Sequence, residues 1–488
     1  MNRDHTQDWV VIYGSSEGVE GYALREVNQL VQKSLPYLVR VVDGRCVTDE
    51  VMQHNLVILG TRDTNPLVRR FQDAGIVSTK EAKTEAFSVR ITENPDRTDR
   101  QLVILTGSDE NGVLYAVRDF EHYIYDRFAV LSSCGVPLRQ PFIDKFDKVS
   151  LEGAPIIKHR GLWTWGHVIY DYKRYLDHLS HWKMNMVVIW NDFVPLNARQ
   201  IIEYAHERGI KVIWGYSWSW GEEVDPTKSE ELEKWTARVM EKYETEVRDT
   251  RCDGIYFQIF TETDDMTIGS RPIAELAADW VNHIGRELFR KYPDILVQFG
   301  VHATSIRENY VKLGAIDERI DLVWENIGTP GPVFPYSYEP NVIEGYESAV
   351  DYTSRVARLR GEKEKVGIVI KGMTNLDWAN FEHQPGQFIL GEDDPEFIAR
   401  RAEEKMPRWR YVEVGWRKNF RCVLETIRAI AEAKPARSTV LGLVEDGVWE
   451  EKMWLPVALL AEAMWNPYAL SGELLEKVAA THDAYKLV

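Results

Sequence analysis

The chain has 488 residues and a formal net charge of −17, with 44% hydrophobic and 28% charged residues. This balance is typical of globular proteins, and the length suits two or three domains or one large barrel with an attachment. The negative charge excludes nucleic acid and anionic membranes as the main partners.

The cysteines and the first residues indicate the compartment. Cys46, Cys134, Cys252 and Cys422 are far apart and form no CxxC pair, which is typical of free thiols in a reducing environment. The opening residues, MNRDHTQDWVVIYG, contain no apolar region of the kind found in signal peptides, and the chain has no run of about 18 apolar residues. We therefore expect a soluble, cytoplasmic protein.

Residues 1–150 are predicted to form a small α/β domain. Short apolar or alternating runs bounded by turn residues indicate four strands: DWVVIYG, NLVILGT, AFSVRI and QLVILTG. The segment EGYALREVNQLVQKSL has the apolar spacing of a helix. A turn then introduces a second amphipathic helix, GSDENGVLYAVRDFEHYIYDRF, with Asp109, Glu110 and Asn111 as its start signals.

Residues 151–488 are predicted to form a (β/α)8 TIM barrel. Strand-like runs alternate here with helical segments such as ARQIIEYAHERG and IAELAADWVNHIGRELFRKY. The eight runs are 158–165, 184–192, 210–218, 253–262, 295–303, 320–326, 366–374 and 438–446. Eight strands that alternate with helices indicate a closed parallel barrel. The predicted fold class is therefore α/β, with a small α/β domain before the barrel.

The polar and aromatic residues at the carboxyl ends of these strands are the candidate site, because that end of a parallel barrel carries the chemistry. Along the chain they are Arg160, Trp163, Trp165, Asn191, Asp192, Trp218, Trp220, Glu262, Asp264, Asp265, His302, Trp324, Glu325, Asn326, Lys371, Asp377, Trp378, Glu445, Asp446, Trp449 and Glu450. A mouth lined with carboxylates and tryptophans suits a sugar, whose hydroxyls need acceptors and whose C–H faces pack on aromatic rings. Glycosidic cleavage commonly requires two carboxyl groups.

Metal and cofactor sites are not expected. His302 has no second His or Cys at metal-ligand spacing, and no glycine-rich phosphate loop follows the first barrel strand. The expected partner is an oligosaccharide or glycoside substrate.

Several segments resemble the β-N-acetylhexosaminidases of glycoside hydrolase family 20. HRGLWTWGHVIYDYKRYLDHLSHWKMNMVVIWND is similar to the first βαβ unit of that family's barrel, and IIEYAHERGIKVI is similar to the helix and third strand that follow. VLGLVEDGVWEEKMWLPVALLAEAMW resembles the last strand and the closing helix. NGVLYAVRDFEHYI resembles the end of the small domain that precedes such barrels, which also occurs in α-glucuronidases.

The resemblance implies a sugar-cleaving enzyme and suggests roles for particular residues. Arg160 would hold sugar hydroxyls, Glu262 would be the general acid, and Trp449 and Glu450 would frame the non-reducing sugar. Asp377, in NLDW, occupies the place of a substrate-contacting acidic residue. The other candidates for substrate binding at the mouth are Trp165, Asp192, Trp218, Asp264, His302, Trp324 and Trp378.

One departure from the family concerns its catalytic pair. The family's fourth strand ends Gly-Gly-Asp-Glu, whereas this chain reads IFTE at residues 259–262. The family's Asp steadies the acetamido group of the substrate, and the neutral hydroxyl of Thr261 cannot stabilise a developing charge as a carboxylate does. A different second carboxylate is then needed, and Glu325 at the end of the sixth strand is the candidate. Because side chains alternate along a strand, Glu325 faces the lumen only if Trp324 does not.

The sequence therefore predicts an exo-acting glycoside hydrolase with Glu262 as general acid and Glu325 as base or nucleophile. Three alternatives stay open. The first is a β-N-acetylhexosaminidase that uses the substrate-assisted mechanism. The second is a glucuronidase-like enzyme in which Arg160 or Lys371 binds the substrate carboxylate. The third is a non-catalytic carbohydrate-binding relative.

Overall fold

The structure is a computed structural model that describes residues 8–79, 83–128, 145–326, 345–374, 381, 383–445, 447 and 455–485. These residues form two compact units. The first unit comprises the described residues within Met1–Pro155, His206–Gly209 and Ala480–Val488, and the second comprises those within Ile156–Ala205 and Ile210–Ala479.

The first unit contains a six-stranded mixed sheet in the order β2-β1-β3-β5-β4-β6. Its strands are β1 (Trp9–Tyr13), β2 (Arg40–Asp43), β3 (Asn55–Thr61), β4 (Phe87–Asn94), β5 (Arg97–Gly107) and β6 (Val149–Gly153). The pairs β2–β1, β1–β3 and β3–β5 are parallel, whereas β4 is antiparallel to both β5 and β6. Its helices are α1 (Gly18–Ser34), α2 (Pro66–Asp73) and α3 (Glu110–Phe128).

Side chains along each strand of this sheet alternate between its two faces, so that every second residue enters one core. The buried cluster includes Val10, Ile12, Leu56, Ile58, Leu102, Ile104, Val68 and Phe71. Helix α2 supplies the last two of these residues. It begins at Pro66. The side chain of the preceding residue, Asn65, accepts a hydrogen bond from the backbone N–H of Leu67 at 3.0 Å. An Asn cap followed by proline is a strong helix start, because the cap satisfies a free N–H and proline has none.

The second unit is a closed barrel of eight parallel strands. The barrel strands are β7 (His159–Trp165), β8 (Met186–Trp190), β9 (Lys211–Gly215), β10 (Gly254–Phe257), β13 (Leu296–His302), β14 (Ile320–Asn326), β15 (Lys365–Ile370) and β16 (Arg437–Val444). Each pairs with the next in this order, and β16 closes the barrel against β7. A small antiparallel pair, β11 (Thr267–Ile268) and β12 (Arg271–Pro272), follows β10.

Helices alternate with the barrel strands, and the described ones begin with α4. They are α4 (Tyr172–His181), α5 (Ala198–His206), α6 (Ser229–Lys242), α7 (Ile273–Lys291), α8 (Ala303–Ile306), α9 (Gly345–Val356), α10 (Pro395–Ala433), α11 (Leu455–Trp465) and α12 (Ser471–Tyr485). Among the described residues, no helix combines the length and the apolar composition that a membrane crossing requires.

The barrel interior is packed with side chains from alternate positions of its strands. The interior cluster contains Trp163, Trp165, Met186, Val188, Trp190, Ile213, Tyr256, Val323, Val369, Leu441 and Leu443. Burying a large apolar side chain contributes about 1.5–3 kcal/mol, so this filled interior is a stabilising core and not a pore. The cluster also fixes which positions of each strand face the lumen, and these positions decide where the polar side chains of the mouth lie.

All eight predicted barrel strands are present in the predicted order, which confirms the fold class. The prediction was wrong about the extent of the fourth strand. It was expected to reach Glu262, but β10 ends at Phe257. Beyond it the chain turns, and Thr261 N–H donates to the carbonyl of Ile259 at 2.8 Å. Glu262 therefore lies on a loop above the barrel.

Candidate active site

Five polar side chains meet at the carboxyl ends of four neighbouring barrel strands. Tyr256 lies on β10 and Gln258 directly follows it, His302 ends β13, Glu325 lies near the end of β14, and Lys371 directly follows β15. Each is in phase with an inward-facing residue of its own strand, since side chains two positions apart share a face. The barrel therefore brings them together although more than a hundred residues separate the first from the last.

Glu325 is at the centre of this group. Its side chain is 6% exposed. The Tyr256 hydroxyl donates a hydrogen bond to Oε1 at 2.7 Å, and the Gln258 amide donates to the same oxygen. His302 Nε2 lies 3.4 Å and Lys371 Nζ 3.7 Å from Oε2. A buried carboxylate with this many donors and cations is satisfied in its ionised form.

The charges of this group shift its pKa values in opposite directions. Burial by itself raises the pKa of Glu325, but the cations of His302 and Lys371 and the hydroxyl of Tyr256 outweigh it and lower that pKa well below its usual range. Burial opposes the charged form of His302 too, yet the carboxylates of Glu325 and Glu262 raise its pKa above the ordinary value. Both shifts favour the charged forms, an ionised Glu325 beside a protonated His302.

His302 connects Glu325 to the second candidate carboxylate. His302 is 2% exposed. Glu262 Oε2 lies 3.7 Å and Glu325 Oε2 3.4 Å from His302 Nε2, so the two oxygens are at most about 7.1 Å apart, the sum of these distances. The side chain of Glu262 is 46% exposed, and the indole N–H of Trp220 donates to its Oε2 at 2.5 Å. One carboxylate is thus buried in the lumen, and the other lies on the rim.

A cavity of about 550 Å³ adjoins the Glu262 side of the mouth. We call it the side cavity and define it by Trp190, Asp192, Tyr216, Trp220, Arg238 and Lys242 among its lining residues. His383 also lines it, and its Nδ1 lies 3.1 Å from Oδ2 of Asp192. Trp165 is 3% exposed and lies beside it, with ring centroids 6.4 Å from Trp220 and 5.3 Å from His383. The predicted residues Trp165 and Asp192 are therefore both at the mouth.

The structure contradicts the predicted role of Arg160. This residue is the second of β7, so it lies at the amino end of the barrel, opposite the mouth. It is 1% exposed, and its guanidinium donates to the backbone carbonyls of Ile157, Lys158 and Lys183. Three carbonyl acceptors satisfy the buried guanidinium, which makes Arg160 a structural residue at the base of the barrel.

Two predicted tryptophans also lie elsewhere, because they face outward from the barrel wall. Trp218 is wholly buried and stacks on Phe257, with ring centroids 3.7 Å apart. Trp324 is 1% exposed and packs edge-on against Tyr352 of α9. The outward direction of Trp324 is the reason that Glu325, one position further along β14, points into the lumen.

The remaining candidates divide into exposed, buried and undescribed residues. Asp264 is exposed on the loop after β10. Thr261, which occupies the position of the family's Asp, is wholly buried, and Ser305 donates to its backbone carbonyl at 2.6 Å. Five candidates lie outside the described residues, namely Asp377, Trp378, Asp446, Trp449 and Glu450.

The candidate list from the sequence omitted Tyr256 and Gln258. A signal for both was present, because they are two polar residues at alternate positions of an otherwise apolar run, IYFQIF. Within the described ranges, no three His, Cys, Asp or Glu side chains are grouped as a bound metal ion would require.

Comparisons with known proteins relate the fold to that of sugar-cleaving enzymes. No protein-family model matches the sequence, and no curated protein matches it. Among solved structures, the chain is similar to a β-N-acetylhexosaminidase from Bacteroides fragilis, with a TM-score of 0.53 and 14% identity over 98% of this chain and 92% of that one. It is also similar to a chitobiase of Flavobacterium johnsoniae, with a TM-score of 0.51 and 11% identity over 99% of this chain and 70% of that one.

A third similar structure belongs to a different glycoside hydrolase family. It is a GH138 enzyme targeting pectin rhamnogalacturonan II, with a TM-score of 0.53 and 12% identity over 97% of this chain and 66% of that one. This chain thus spans slightly under two thirds of that enzyme's length. The three similarities establish a barrel fold of the kind found in several glycoside hydrolase families, and they do not single out family 20.

Proposed function

We propose that the protein is a glycoside hydrolase that removes a terminal sugar from an oligosaccharide, with Glu262 as general acid and Glu325 as nucleophile or base. The observation that carries this proposal is the position of the two carboxylates, which both lie close to His302 Nε2, at 3.7 and 3.4 Å. Two carboxyl groups at such a separation are what glycosidic hydrolysis requires.

The surroundings of Glu325 suit the ionised partner of the pair. A nucleophile or base must be deprotonated when the substrate arrives, and the lowered pKa of Glu325 keeps it so at neutral and mildly acidic pH. His302 and the Tyr256 hydroxyl hold the carboxylate in one orientation. Neither the imidazole nor the hydroxyl stabilises the positive charge that develops on the sugar, so the carboxylate of Glu325 must do so itself.

The surroundings of Glu262 suit the proton donor. Its side chain lies on the exposed rim, where a leaving group departs into solvent. Trp220 donates to one carboxyl oxygen, Oε2, and so orients the carboxyl group. A general acid must reach the glycosidic oxygen with its proton, and this oxygen lies between the terminal sugar and the rest of the substrate.

The shape of the mouth supports exo action. Below Glu325 the lumen is filled by Tyr256 and the tryptophans Trp163 and Trp190. A sugar that enters from the mouth therefore meets a closed floor, which favours a chain end over the middle of a chain. The separation of at most about 7.1 Å is compatible with a retaining enzyme, where about 5–5.5 Å is usual, and with the lower part of the inverting range, about 6.5–9.5 Å.

Substrate-assisted cleavage of N-acetylhexosamines is the less favoured alternative. That mechanism needs a carboxylate beside the general acid to steady the acetamido group. The matching residue here is Thr261, which is neutral and wholly buried. The carboxylate in the lumen is instead Glu325. It lies on β14, which is the second strand from β10 around the barrel.

Hydrolysis of a panel of aryl glycosides tests the proposal. The panel consists of para-nitrophenyl N-acetylglucosaminide, N-acetylgalactosaminide, glucoside, galactoside and glucuronide, each as both anomers. We expect turnover of at least one, and a loss of about 10³-fold on a phenyl glycoside in Glu262→Gln and in Glu325→Gln. Asp265→Asn, an exposed carboxylate on the same loop, is the matched control and should retain turnover.

The leaving group separates the two roles. Nitrophenol needs little protonation to leave, so Glu262→Gln should slow the hydrolysis of nitrophenyl glycosides less than that of phenyl glycosides. Glu325→Gln should slow the hydrolysis of both to the same extent. Equal losses on both in Glu262→Gln would argue against its role as acid. A folded protein that binds sugars and turns over none of the panel would instead favour the non-catalytic carbohydrate-binding alternative.

A further inference from the structure

The side cavity is distinct from the lumen that holds Glu325. It lies at the ends of β8 and β9 and against α6, whereas Glu325 lies on β14. Its volume of about 550 Å³ falls within the range of small-ligand sites. Its lining combines aromatic and polar side chains, which is the composition of a carbohydrate subsite.

One face of α6 gives the cavity a cationic wall. Trp235, Arg238, Val239 and Lys242 all line it, at the spacing that places helical residues on one face. Arg238 and Lys242 are four residues apart, and like charges at this spacing destabilise a helix. These two cations repel each other on one helix face that lines a cavity, and a bound anion would relieve the repulsion.

Among the described residues, the acidic side chains near this wall have partners other than Arg238. Asp192 pairs with His383 at 3.1 Å. Lys242 donates to the backbone carbonyl of Asp192 at 2.9 Å and lies 4.0 Å from Glu246. Arg238 packs over the ring of Trp235 at 4.9 Å, and no carboxylate of the described residues lies within 4.0 Å of its guanidinium.

Trp220 connects the side cavity to the proposed acid. Its ring lines the cavity, and its N–H donates to Glu262 at 2.5 Å. Around the rim the order is side cavity at β8 and β9, Glu262 after β10, His302 on β13 and Glu325 on β14. A substrate whose terminal sugar lies over Glu325 and whose glycosidic oxygen reaches Glu262 would therefore extend its next unit toward the side cavity.

We propose that the side cavity is a subsite for a carboxylate-bearing sugar, a uronic acid unit, on the leaving-group side of Glu262, with Arg238 binding the carboxylate. The assignment of this subsite to the leaving group rests on the proposed function. The chemistry of recognition does not, because a planar guanidinium binds a carboxylate through paired N–H donors whatever the enzyme does next. Trp220 and Trp235 supply the apolar faces for the ring of the sugar.

Direct binding tests this subsite separately from catalysis. The probes are sodium D-glucuronate and D-galacturonate, their neutral counterparts D-glucose and D-galactose, and inorganic sulfate, titrated against the whole protein and followed by tryptophan fluorescence. We expect the uronates to bind about three- to tenfold more tightly than the neutral sugars, since the carboxylate adds a charge-assisted contact at a partly screened site. Raising the salt concentration should reduce this preference.

Three variants make the test specific. Arg238→Gln should abolish the preference for uronates, and Arg286→Gln, which removes an exposed arginine of α7 outside the cavity lining, should keep it. Glu222→Gln removes the exposed carboxylate of the lining and should keep or increase the preference. Equal binding of uronates and neutral sugars, an unchanged preference in Arg238→Gln, or sulfate binding as tight as uronate would each overturn the inference.

The outcomes distinguish this inference from the proposed function. Turnover of an aryl glycoside without a uronate preference leaves the hydrolase standing and removes the acidic subsite. A uronate preference that depends on Arg238, in a protein that turns over no glycoside, supports the acidic sugar site and removes the hydrolase. With both results positive, para-nitrophenyl glycoside hydrolysis should be inhibited by uronate in the wild-type protein and about three- to tenfold less sensitively in Arg238→Gln.

Discussion

The two candidate carboxylates lie in opposite kinds of surroundings. Glu325 is 6% exposed in the lumen, and four side chains hold it there: Tyr256, Gln258, His302 and Lys371. Glu262 is 46% exposed on a loop beyond β10, and the contacts described for it come from Trp220 and His302. The barrel strands fix the first carboxylate, whereas a loop presents the second.

This difference teaches how one barrel keeps one carboxyl group ionised in its interior and presents another at its exposed rim. An ionised group in the interior needs cations and donors to offset its desolvation, and strands can supply them at fixed positions. A group that takes up and releases protons benefits from solvent access and few restraints.

The largest contrast is expected between Glu325→Gln and Glu262→Gln in stability. Removing the charge of Glu325 leaves His302 and Lys371 without their buried counter-ion, so we expect a loss of about 3 kcal/mol in the free energy of unfolding. Glu262→Gln should change it by less than about 0.5 kcal/mol, because its side chain is half exposed. Urea unfolding of both variants at pH 6 measures the difference, and equal losses would contradict the division into a buried and an exposed carboxylate.

His302→Gln should destabilise the protein in a pH-dependent way. The pKa of His302 is raised above its ordinary value of 6.5, so its stabilising charge is fully present below that pH and is lost as pH rises through the folded-state pKa. The pKa of Glu325 is lowered from 4.5, so its contribution is present above that pH and is lost as pH falls through the folded-state pKa.

The pair therefore contributes most between pH 4.5 and 6.5. We expect His302→Gln to cost about 2 kcal/mol in that window and clearly less at pH 9, measured by urea unfolding at each pH. A cost that stays the same from pH 5 to pH 9 would show that the imidazole acts through packing and not through its charge.

Gly300→Ala should disturb the lumen without touching either carboxylate. A Cβ at Gly300 would clash with the hydroxyl oxygen of Tyr256, which donates to Glu325. We expect overpacking to cost about 1–3 kcal/mol in stability and the displaced hydroxyl to lower kcat. Gly75→Ala, where a Cβ would meet no atom within 4 Å, is a control for the loss of a glycine, although its positive φ adds some strain. Normal turnover in Gly300→Ala would mean that the Tyr256 hydrogen bond is dispensable.

Trp220→Phe should have the smallest effect and should act only on the rim. The substitution removes the N–H that donates to Glu262 and keeps an aromatic ring in the side cavity. We expect kcat/KM for a phenyl glycoside to fall about three- to tenfold, with stability unchanged to within about 0.5–1 kcal/mol. A shift of the pH–rate profile together with unchanged urea unfolding would locate the effect at the acid.

The sequence was sufficient for the barrel but not for the direction of its side chains. Eight apolar runs separated by helical segments allow few arrangements other than a closed parallel barrel, and all eight strands appear in order. The direction of a side chain depends on the phase of alternation, which the packing of the whole barrel sets. Trp218 and Trp324 therefore looked like mouth residues, although Phe257 and Tyr352 hold them on the outer face.

Arg160 and the fourth strand show two other limits. Arg160 stands second in its strand, and position alone favoured the base of the barrel over the mouth. The prediction nevertheless counted Arg160 among the residues at the carboxyl ends of the strands. No turn residue in IYFQIFTE marks the end of β10 at Phe257. The strand ends there because tertiary hydrogen bonds, such as that from Trp218 N–H to the Gln258 carbonyl, replace the ladder.

The single indole of Trp220 has a consequence for the order of events in a catalytic cycle. Its N–H orients Glu262, and its ring forms part of the wall of the side cavity. Two events that share one rigid group are thermodynamically linked, and the linkage is reciprocal. Loss of the proton from Glu262 would thus alter the affinity of the departing unit, and departure of that unit would alter the readiness of Glu262 to regain a proton. In the proposed hydrolase, release of the departing unit and reprotonation of Glu262 would then be thermodynamically coupled.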